Sequence, residues 1–246
     1  MLQVLHNEYP LSLPARTKYI IGYNLAKSIG VRIIGVSKGV SDYALNILKI
    51  KNTKTIYNGL NEEHFYFPND RQQDIFTVAH MGSFTYQKNH SLIIDIFSEI
   101  TKRYPNTQLL LIGDGKLRND IETKVKSLNL EDKVTFTGNV IDVPKALASA
   151  HCFLFPSHYE GFGKAAIEAM SMGIVPILSN YPAAGELITN EQEGFIVDNM
   201  DIDAYTNCIA RLIESSELRE RMSSASRKRV VDKFSLKKMI DEYQSS

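Results

Sequence analysis

Two glutamates flank a glycine-containing turn in the second half of the chain. The turn follows the apolar run Cys152–Phe155 and leads into a segment of helical period, Gly163–Ser171, so that Glu160 lies in the turn and Glu168 in the helix. Glycines let the backbone approach a ligand closely, and the first turn of a helix offers N–H groups and a positive dipole end. This arrangement favours the binding of a diphosphate.

The two carboxylates suit different tasks. Glu168 lies about a turn and a half into the predicted helix, where it could accept hydrogen bonds from the vicinal hydroxyls of a ribose. Glu160 lies in the preceding turn, where a carboxylate can face a sugar that is being transferred. The pair therefore need not be a general acid and base. An ordinary helix-entry turn with two solvated glutamates is the alternative that spacing alone leaves open.

Short apolar runs alternate with amphipathic segments and would position these groups. The predicted strands are Val31–Val36, Thr53–Tyr57, Ile75–Ala79, Gln108–Ile112, Val134–Thr137, Cys152–Phe155, Val175–Leu178 and Gly194–Val197. The predicted helices are Ser37–Lys49, Asn89–Tyr104, Lys116–Leu128, Val143–Ser149, Gly163–Ser171, Asp201–Ser215, Glu217–Phe234 and Ser235–Tyr243. Because the strand runs are continuous rather than alternating, both faces should be covered, as in a doubly wound parallel α/β sheet of Rossmann-like type. Ligands of such sheets bind at the carboxyl ends of the strands.

Composition excludes several classes of protein. Twenty-eight Lys and Arg balance 28 Asp and Glu, so the chain lacks the overall positive field of a general nucleic-acid binder. The two cysteines, Cys152 and Cys208, lie far apart in sequence, which favours a reduced, cytoplasmic protein. No run approaches the roughly 18 apolar residues of a membrane span, and the first ten residues lack the pattern of a signal peptide.

The segment from Glu160 to Glu168 resembles the Glu-x7-Glu signature of the family 4 retaining glycosyltransferases, which have the two-domain GT-B fold. Further motifs follow that family in order and spacing from about residue 31 to residue 240. These are Val36-Ser37, Tyr57-Asn58-Gly59, Phe65-Tyr66-Phe67-Pro68, Met81-Gly82-Ser83, Gln87-Lys88-Asn89-His90, Gly113-Asp114-Gly115, Phe136-Thr137-Gly138-Asn139-Val140, Gly173-Ile174-Val175-Pro176 and Glu193-Gly194.

The resemblance implies a role for each matching residue. Lys88 would bind the donor diphosphate, Glu168 the ribose, and Glu160 the donor sugar. The implied donor-binding residues are Gly82, Ser83, Lys88, Gly138, Val140, Gly161, Phe162, Gly163, Lys164 and Glu168. Ser83 stands where the family usually has a second cation, an Arg directly after the glycine. His6 is similar to the histidine that the family's first domain places at the sugar, and a surface histidine is the alternative.

The resemblance also implies a domain organisation. We expect residues 1–66 to be a remnant of the acceptor-side domain with its linker, and residues 67–234 to form the nucleotide-sugar-binding domain. Residues 235–246 would form a C-terminal helix that crosses back towards the first part. A partner chain could complete the shortened first domain.

The implied activity is transfer of a sugar from a nucleotide sugar to a saccharide or lipid-linked acceptor, with retention of configuration. No metal or cofactor is expected, and neither is nucleic acid. The pathway would be polysaccharide biosynthesis, for capsule, exopolysaccharide or lipopolysaccharide, at the inner face of the membrane. Two alternatives remain: a silent or split-subunit module that binds nucleotide sugars, and a sugar-nucleotide epimerase of the same architecture.

Charged segments outside this site have simpler interpretations. Asp201-Ile202-Asp203 resembles the metal-binding Asp-x-Asp of another glycosyltransferase fold, but it opens a late helix, so we interpret Asp201 as a cap. Residues 1–60 carry eight Lys and Arg against two Asp and Glu, and a second basic run begins at Arg227. The first could face anionic lipid headgroups or a phosphorylated acceptor, and the second could contact a membrane surface. A solvated face is the alternative for each.

Overall fold

A three-stranded parallel sheet forms the first part of the computed structural model, which describes residues 2–6, 17, 20–23, 25, 28, 32–50, 53–65, 74–198 and 200–245. Its strands are β1 (Leu2–Leu5), β2 (Arg32–Gly35) and β3 (Lys54–Thr55), in the order β1-β2-β3. Helix α1 (Lys38–Asn46) follows β2 and begins at Ser37, whose hydroxyl accepts a hydrogen bond from the Val40 N–H.

A six-stranded sheet forms the second part, with all strands parallel in the order β6-β5-β4-β7-β8-β9. Its strands are β4 (Phe76–Met81), β5 (Thr107–Ile112), β6 (Val134–Gly138), β7 (Cys152–Phe155), β8 (Val175–Ser179) and β9 (Phe195–Val197). The helices are α2 (His90–Arg103), α3 (Arg118–Ser127), α4 (Val143–Leu147), α5 (Lys164–Ser171), α6 (Ala184–Leu187), α7 (Ile202–Glu214), α8 (Ser216–Lys233) and α9 (Leu236–Gln244). Two 3-10 turns, Tyr86–Lys88 and Glu131–Lys133, complete this part.

Strand β7 shows why the sheet is buried on both faces. Phe153 and Phe155 pack into a cluster with residues of α5 and α8, whereas Cys152 and Leu154 pack on the other face with residues of α2, α3 and α7. All four side chains are fully buried. Complete burial of such a side chain stabilises the fold by about 1.5–3 kcal/mol. The predicted parallel α/β sheet with covered faces is confirmed.

The structure differs from the predicted elements where runs are short. Strand β1 was not expected, because four residues including the polar Gln3 are too few to show a period. Strand β3 is shorter than the predicted Thr53–Tyr57, since its partner β2 ends at Gly35, opposite Thr55. Helix α6 was also missed, because it has only four residues and contains a glycine.

Hydrogen bonds join the connection that leaves β3 to the junction of α8 and α9. The Leu60 N–H donates to the Phe234 carbonyl and the Leu236 N–H donates to the Leu60 carbonyl, both at 2.8 Å. The start of α9 thereby lies beside the connection that leaves β3. The predicted domain boundary at residues 66–67, and the motif residues 66–68, lie outside the described residues. Within the described part of the chain, no helix is both long and apolar enough to cross a membrane.

Candidate functional site

The strand order of the six-stranded sheet reverses between β4 and β7. The chain builds outward from β4 through β5 to β6, then returns to place β7 on the other side of β4. At such a switch point the loops that follow the two neighbouring strands diverge and leave a crevice for ligands. Here those loops are residues 82–89 and residues 156–163, which contain the predicted Lys88 and Glu160.

Three polar contacts join these two loops. The Lys88 ammonium lies 2.5 Å from Oε1 of Glu160. Nε2 of Gln87 donates to the Tyr159 carbonyl at 2.9 Å, and the His158 N–H donates to the Gln87 carbonyl at 2.8 Å. Loops with this many mutual contacts hold their side chains in fixed positions. The structure therefore brings together two predicted site residues that lie 72 positions apart in the sequence.

Lys88 has the surroundings of a partly buried cation. Its side chain is 16% exposed, and its Nζ lies 4.6 Å from the centroid of the Phe155 ring. A Cβ on Gly82 would lie 3.2 Å from Cδ and Cε of Lys88. The glycine therefore leaves room for the lysine stem as well as for a ligand. The adjacent Ser83 is exposed and adds no charge.

The start of α5 lies in the same crevice. Gly163 is the N-cap residue of this helix, with φ of 95°, and a Cβ there would lie 2.7 Å from the Tyr181 hydroxyl. A glycine has no side chain to cap the helix, so the first N–H groups of α5 stay available to a ligand. The Phe162 side chain is buried against Tyr57 and Phe234, at centroid distances of 5.7 and 5.4 Å. Phe162 can therefore offer a ligand only its backbone.

Gly161 connects this site to the smaller sheet. Its carbonyl accepts a hydrogen bond from the Ser37 hydroxyl at 2.5 Å, at the point where α1 begins. At the same end of α1, the carboxylate of Glu186 accepts from the Lys38 and Gly39 N–H groups at 2.7 and 2.9 Å. Sequence reasoning missed Ser37 and Glu186 as contacts of the site.

Glu168 is the second predicted carboxylate of the site. Its side chain is 13% exposed and lies 3.5 Å from the Lys164 ammonium, whose own side chain is 67% exposed. Burial raises the pKa of the Glu168 carboxyl, and the nearby Lys164 acts in the opposite direction. Glu168 is thus a partly desolvated acceptor on the first turns of α5.

Three glycines bring the neighbouring loops together. The Gly113 N–H donates to the Gly138 carbonyl at 2.9 Å, and both residues have positive φ, of 125° and 68°. A Cβ on Gly113 would overlap the Gly82 carbonyl, and one on Gly115 would lie 2.7 Å from the backbone of Phe84. At Gly113 and Gly115 the backbone thus lies too close to the loop that contains Gly82 and Phe84 for any side chain. Val140, which follows Gly138, is partly buried at the same edge of the sheet.

Two buried histidines lie beneath the crevice. Nδ1 of His80 lies 2.9 Å from the Leu154 carbonyl, and its ring meets that of His90 edge to face at 4.7 Å. Within the described part of the chain, Nε2 of His80 and both ring nitrogens of His90 find no hydrogen-bond partner. Burial lowers the pKa of His90 to about 4 and that of His80 well below its usual value. His80 directly follows the predicted strand Ile75–Ala79, and this position could have drawn attention to the pair.

Tyr181 is a further residue that the sequence did not single out. It follows β8, so the rule that ligands bind at the carboxyl ends of strands could have drawn attention to it. Its hydroxyl is buried beneath Gly163 and has no hydrogen-bond partner among the residues that the structure describes.

His6 lies directly after β1 and is exposed. Leu5 pairs with Gly35, and the Val36 N–H donates to the Leu5 carbonyl at 3.1 Å. His6 is therefore at the same sheet edge as Ser37, which contacts the site. The structure does not bring it into a direct contact with the other predicted site residues that it describes.

The remaining candidates have structural roles. Oδ1 of Asp201 accepts a hydrogen bond from the Ala204 N–H at 2.9 Å, which confirms the helix cap. Among the described residues, no group of three or more His, Cys, Asp or Glu could hold a metal ion. In the basic run of α8, Arg229 lies 3.2 Å from the buried Glu193, and Arg227 donates to the carbonyls of Phe65 and Ser171. The side chains of these two arginines therefore make contacts within the molecule.

The chain is similar to known glycosyltransferases. The family model described as "Glycosyl transferases group 1" matches residues 61–229. The capsular polysaccharide biosynthesis glycosyltransferase CapM of Staphylococcus aureus is 30% identical over 227 residues, which cover 92% of this chain and 57% of CapM. The UDP-Gal:alpha-D-GlcNAc-diphosphoundecaprenol alpha-1,3-galactosyltransferase of Escherichia coli is 30% identical over 175 residues, covering 70% of this chain and 44% of that enzyme.

A solved structure supports the fold. Anabaena HepE in complex with UDP and glucose superposes with a TM-score of 0.87 at 24% identity, covering 100% of this chain and 71% of HepE. The expected GT-B-type parallel α/β architecture is therefore confirmed. The chain spans about half the length of the curated relatives it matches. Since the family model covers well over half of the sequence, the chain belongs to the glycosyl transferases group 1 family.

Proposed function

We propose that this chain carries the nucleotide-sugar site of a retaining glycosyltransferase of polysaccharide biosynthesis. The observation that carries the proposal is the meeting of Lys88, Glu160 and the start of α5 at the switch point between β4 and β7. A cation and uncapped helix N–H groups suit a diphosphate, and carboxylates beside them suit sugar hydroxyls. The names of CapM and the Escherichia coli relative support a saccharide or lipid-linked acceptor.

In this proposal the donor diphosphate binds at the start of α5 with Lys88. Departure of the diphosphate is the step in which charge separates, and fixed N–H groups with one ammonium stabilise the charge that develops. The electron pair of the broken C–O bond stays on the terminal phosphate. That phosphate accepts the proton of the acceptor hydroxyl, and the acceptor oxygen bonds to the anomeric carbon from the face that the diphosphate leaves, which retains the configuration. No metal is needed for this step.

Each carboxylate then has a separate role. Glu168 accepts hydrogen bonds from the ribose hydroxyls, and Glu160 orients the donor sugar and stabilises its developing positive charge. Backbone groups at Gly138 and Val140 pass beside the nucleotide base. His6, from the smaller sheet, would contact the sugar once the acceptor side closes on the donor.

Calorimetric titration with UDP, GDP, ADP and their common sugar conjugates tests the proposal. We expect saturable binding to the nucleotides of one base. Lys88→Ala should weaken it by about 10- to 100-fold, since a charged hydrogen bond contributes about 1.5–3 kcal/mol. Glu168→Ala should weaken the binding of nucleoside diphosphates, which contain a ribose, and leave the binding of inorganic pyrophosphate unaffected.

Two controls complete this experiment. Lys164→Ala removes a mostly exposed ammonium, and we expect a smaller loss than with Lys88→Ala. Unchanged binding in both Lys88→Ala and Glu168→Ala would contradict the proposed site. Donor binding without transfer to any acceptor, until a second chain is added, would instead identify a split enzyme.

A further inference from the structure

The ammonium that the proposed function assigns to the diphosphate is already engaged. Lys88 and Glu160 form an ion pair at 2.5 Å, with side chains only 16% and 8% exposed. Such a pair interacts more strongly than one in water, because less solvent screens it. A diphosphate that enters the crevice must therefore share Lys88 with Glu160 or take its place.

Glu160 cannot easily move out of the way. The residues on either side of it are held in place, because the Tyr159 carbonyl accepts from Gln87 and the Gly161 carbonyl accepts from Ser37. The carboxylate thus stays close to the position at which the terminal phosphate meets the sugar. Lys164, the cation at the start of α5, lies 3.5 Å from Glu168 and is largely exposed, so it does not neutralise Glu160.

The charge of the ligand changes during transfer. In a nucleotide sugar each phosphate of the diphosphate carries one negative charge. When the C–O bond to the sugar breaks, its electron pair stays on the terminal phosphate, and the proton taken from the acceptor hydroxyl passes on to solvent. Because the second pKa of a phosphate monoester is about 6, the product then carries a further negative charge at neutral pH. That charge arises on the phosphate that was bonded to the sugar, next to Glu160.

We propose that Glu160 expels the nucleoside diphosphate product by reclaiming Lys88 and repelling the terminal phosphate. The inference rests on the proposed function and adds a step after transfer. A carboxylate that contacts the sugar in the donor faces a like charge once the sugar has left. The same residue thereby favours the donor over the product.

Glu160→Gln tests this inference, because it keeps the shape of the side chain and removes its charge. We measure binding of the nucleoside diphosphate, of its sugar conjugate and of inorganic pyrophosphate by calorimetry. The nucleoside diphosphate and pyrophosphate should bind about tenfold more tightly than to the wild type, as expected when a competing charged contact is lost. The sugar conjugate should bind equally or more weakly, because a sugar contact is also lost.

Two further variants separate this effect from a general loss of negative charge. Glu168→Gln removes a neighbouring carboxylate and should not tighten the nucleoside diphosphate. Lys88→Ala combined with Glu160→Gln should abolish the tighter binding of the nucleoside diphosphate, since the ammonium for which Glu160 competes is then absent. Circular dichroism and thermal unfolding verify that each variant is folded.

The possible outcomes are distinct. Equal or weaker binding of the nucleoside diphosphate by a folded Glu160→Gln variant would overturn the inference and leave the proposed donor site standing. If neither wild type nor variant binds any nucleotide, the proposed function fails, and the inference fails with it.

Discussion

The buried histidines His80 and His90 show how single residues at this site constrain stability. Both lie in low-dielectric surroundings beneath Lys88, and the pKa of His90 is lowered to about 4 from an ordinary value of 6.5. A neutral, stacked ring is compatible with this position, as the 3.9 Å centroid distance between His90 and Phe84 indicates. A protonated ring would add a second positive charge next to Lys88.

The sign of the resulting pH dependence follows from proton uptake. Below pH 6.5 the unfolded chain binds protons on these histidines while the folded chain does not, so stability falls as the pH decreases towards about 4. The slope is at most about 1.4 kcal/mol per pH unit for each histidine. His90→Phe should retain the stack on Phe84 and flatten this slope in urea unfolding at several pH values. A slope equal to that of the wild type would show that His90 does not contribute.

At the scale of single elements, the stability of α5 depends on the conformation of its N-cap residue. Gly163 has φ of 95°, and an added Cβ would lie 2.7 Å from the Tyr181 hydroxyl and 3.2 Å from Cδ1 of Leu187. Gly163→Ala should therefore cost about 1–3 kcal/mol of stability from backbone strain, with a further loss from the contact. It should also weaken diphosphate binding, because the N–H groups of α5 would shift.

Matched variants make the Gly163 prediction specific. Gly185→Ala introduces the same group at a glycine whose Cβ position has no heavy atom within 4 Å, and it should leave thermal unfolding nearly unchanged. Combining Gly163→Ala with Tyr181→Phe removes the nearest atom and should recover part of the lost stability. If Gly163→Ala and Gly185→Ala unfold at the same temperature, the cap argument is wrong.

Elements with a clear local pattern could be predicted from the sequence, whereas their mutual placement could not. The run Cys152–Phe155 was predicted with its observed ends, because a continuous apolar run between His151 and Pro156 is a strong strand signal. Helix α5 was predicted to begin one residue too early, at the Gly163 cap. Short elements such as β1 and α6 were missed, because their stability comes from packing rather than from a local pattern.

The same distinction applies to the site. Lys88 and Glu160 were selected from motifs, but their ion pair depends on β7 returning beside β4, and pattern alone does not fix strand order. The contact between Ser37 and Gly161 joins residues 124 positions apart and could not be expected from either sequence neighbourhood. The sequence offered only a surface role for the basic residues of α8. The inward contacts of its arginines could not be predicted, because they depend on where Glu193 and Ser171 lie.

At the scale of the whole molecule, Glu186 connects the two sheets. From α6 it accepts hydrogen bonds from the Lys38 and Gly39 N–H groups, where the helix dipole of α1 favours a negative charge. The same carboxylate also contacts the Tyr57 phenol, whose pKa is raised to about 12, chiefly by burial and then by this hydrogen bond.

Loss of this contact should weaken the junction. Glu186→Ala should lower the free energy of unfolding by about 1–3 kcal/mol, because two N–H groups at the start of α1 lose a charged acceptor. The smaller sheet should also become more sensitive to proteolysis than the larger one. Urea unfolding and limited proteolysis measure the two effects, with Glu220→Ala, an exposed change on α8, as the control. Equal effects of both changes would show that Glu186 does not hold the sheets together.

The pairing of Leu60 with the start of α9 also determines how the chain is routed. The chain enters the larger sheet region after Leu60 and leaves it at Phe234, and the two points are joined by hydrogen bonds of 2.8 Å. A unit whose two ends lie side by side can be inserted into, or removed from, a host chain without separating the flanking segments. Folds with adjacent ends tolerate circular permutation and domain insertion for this reason. Exchange of this unit between relatives would therefore leave the routing of the smaller sheet and of α9 unchanged.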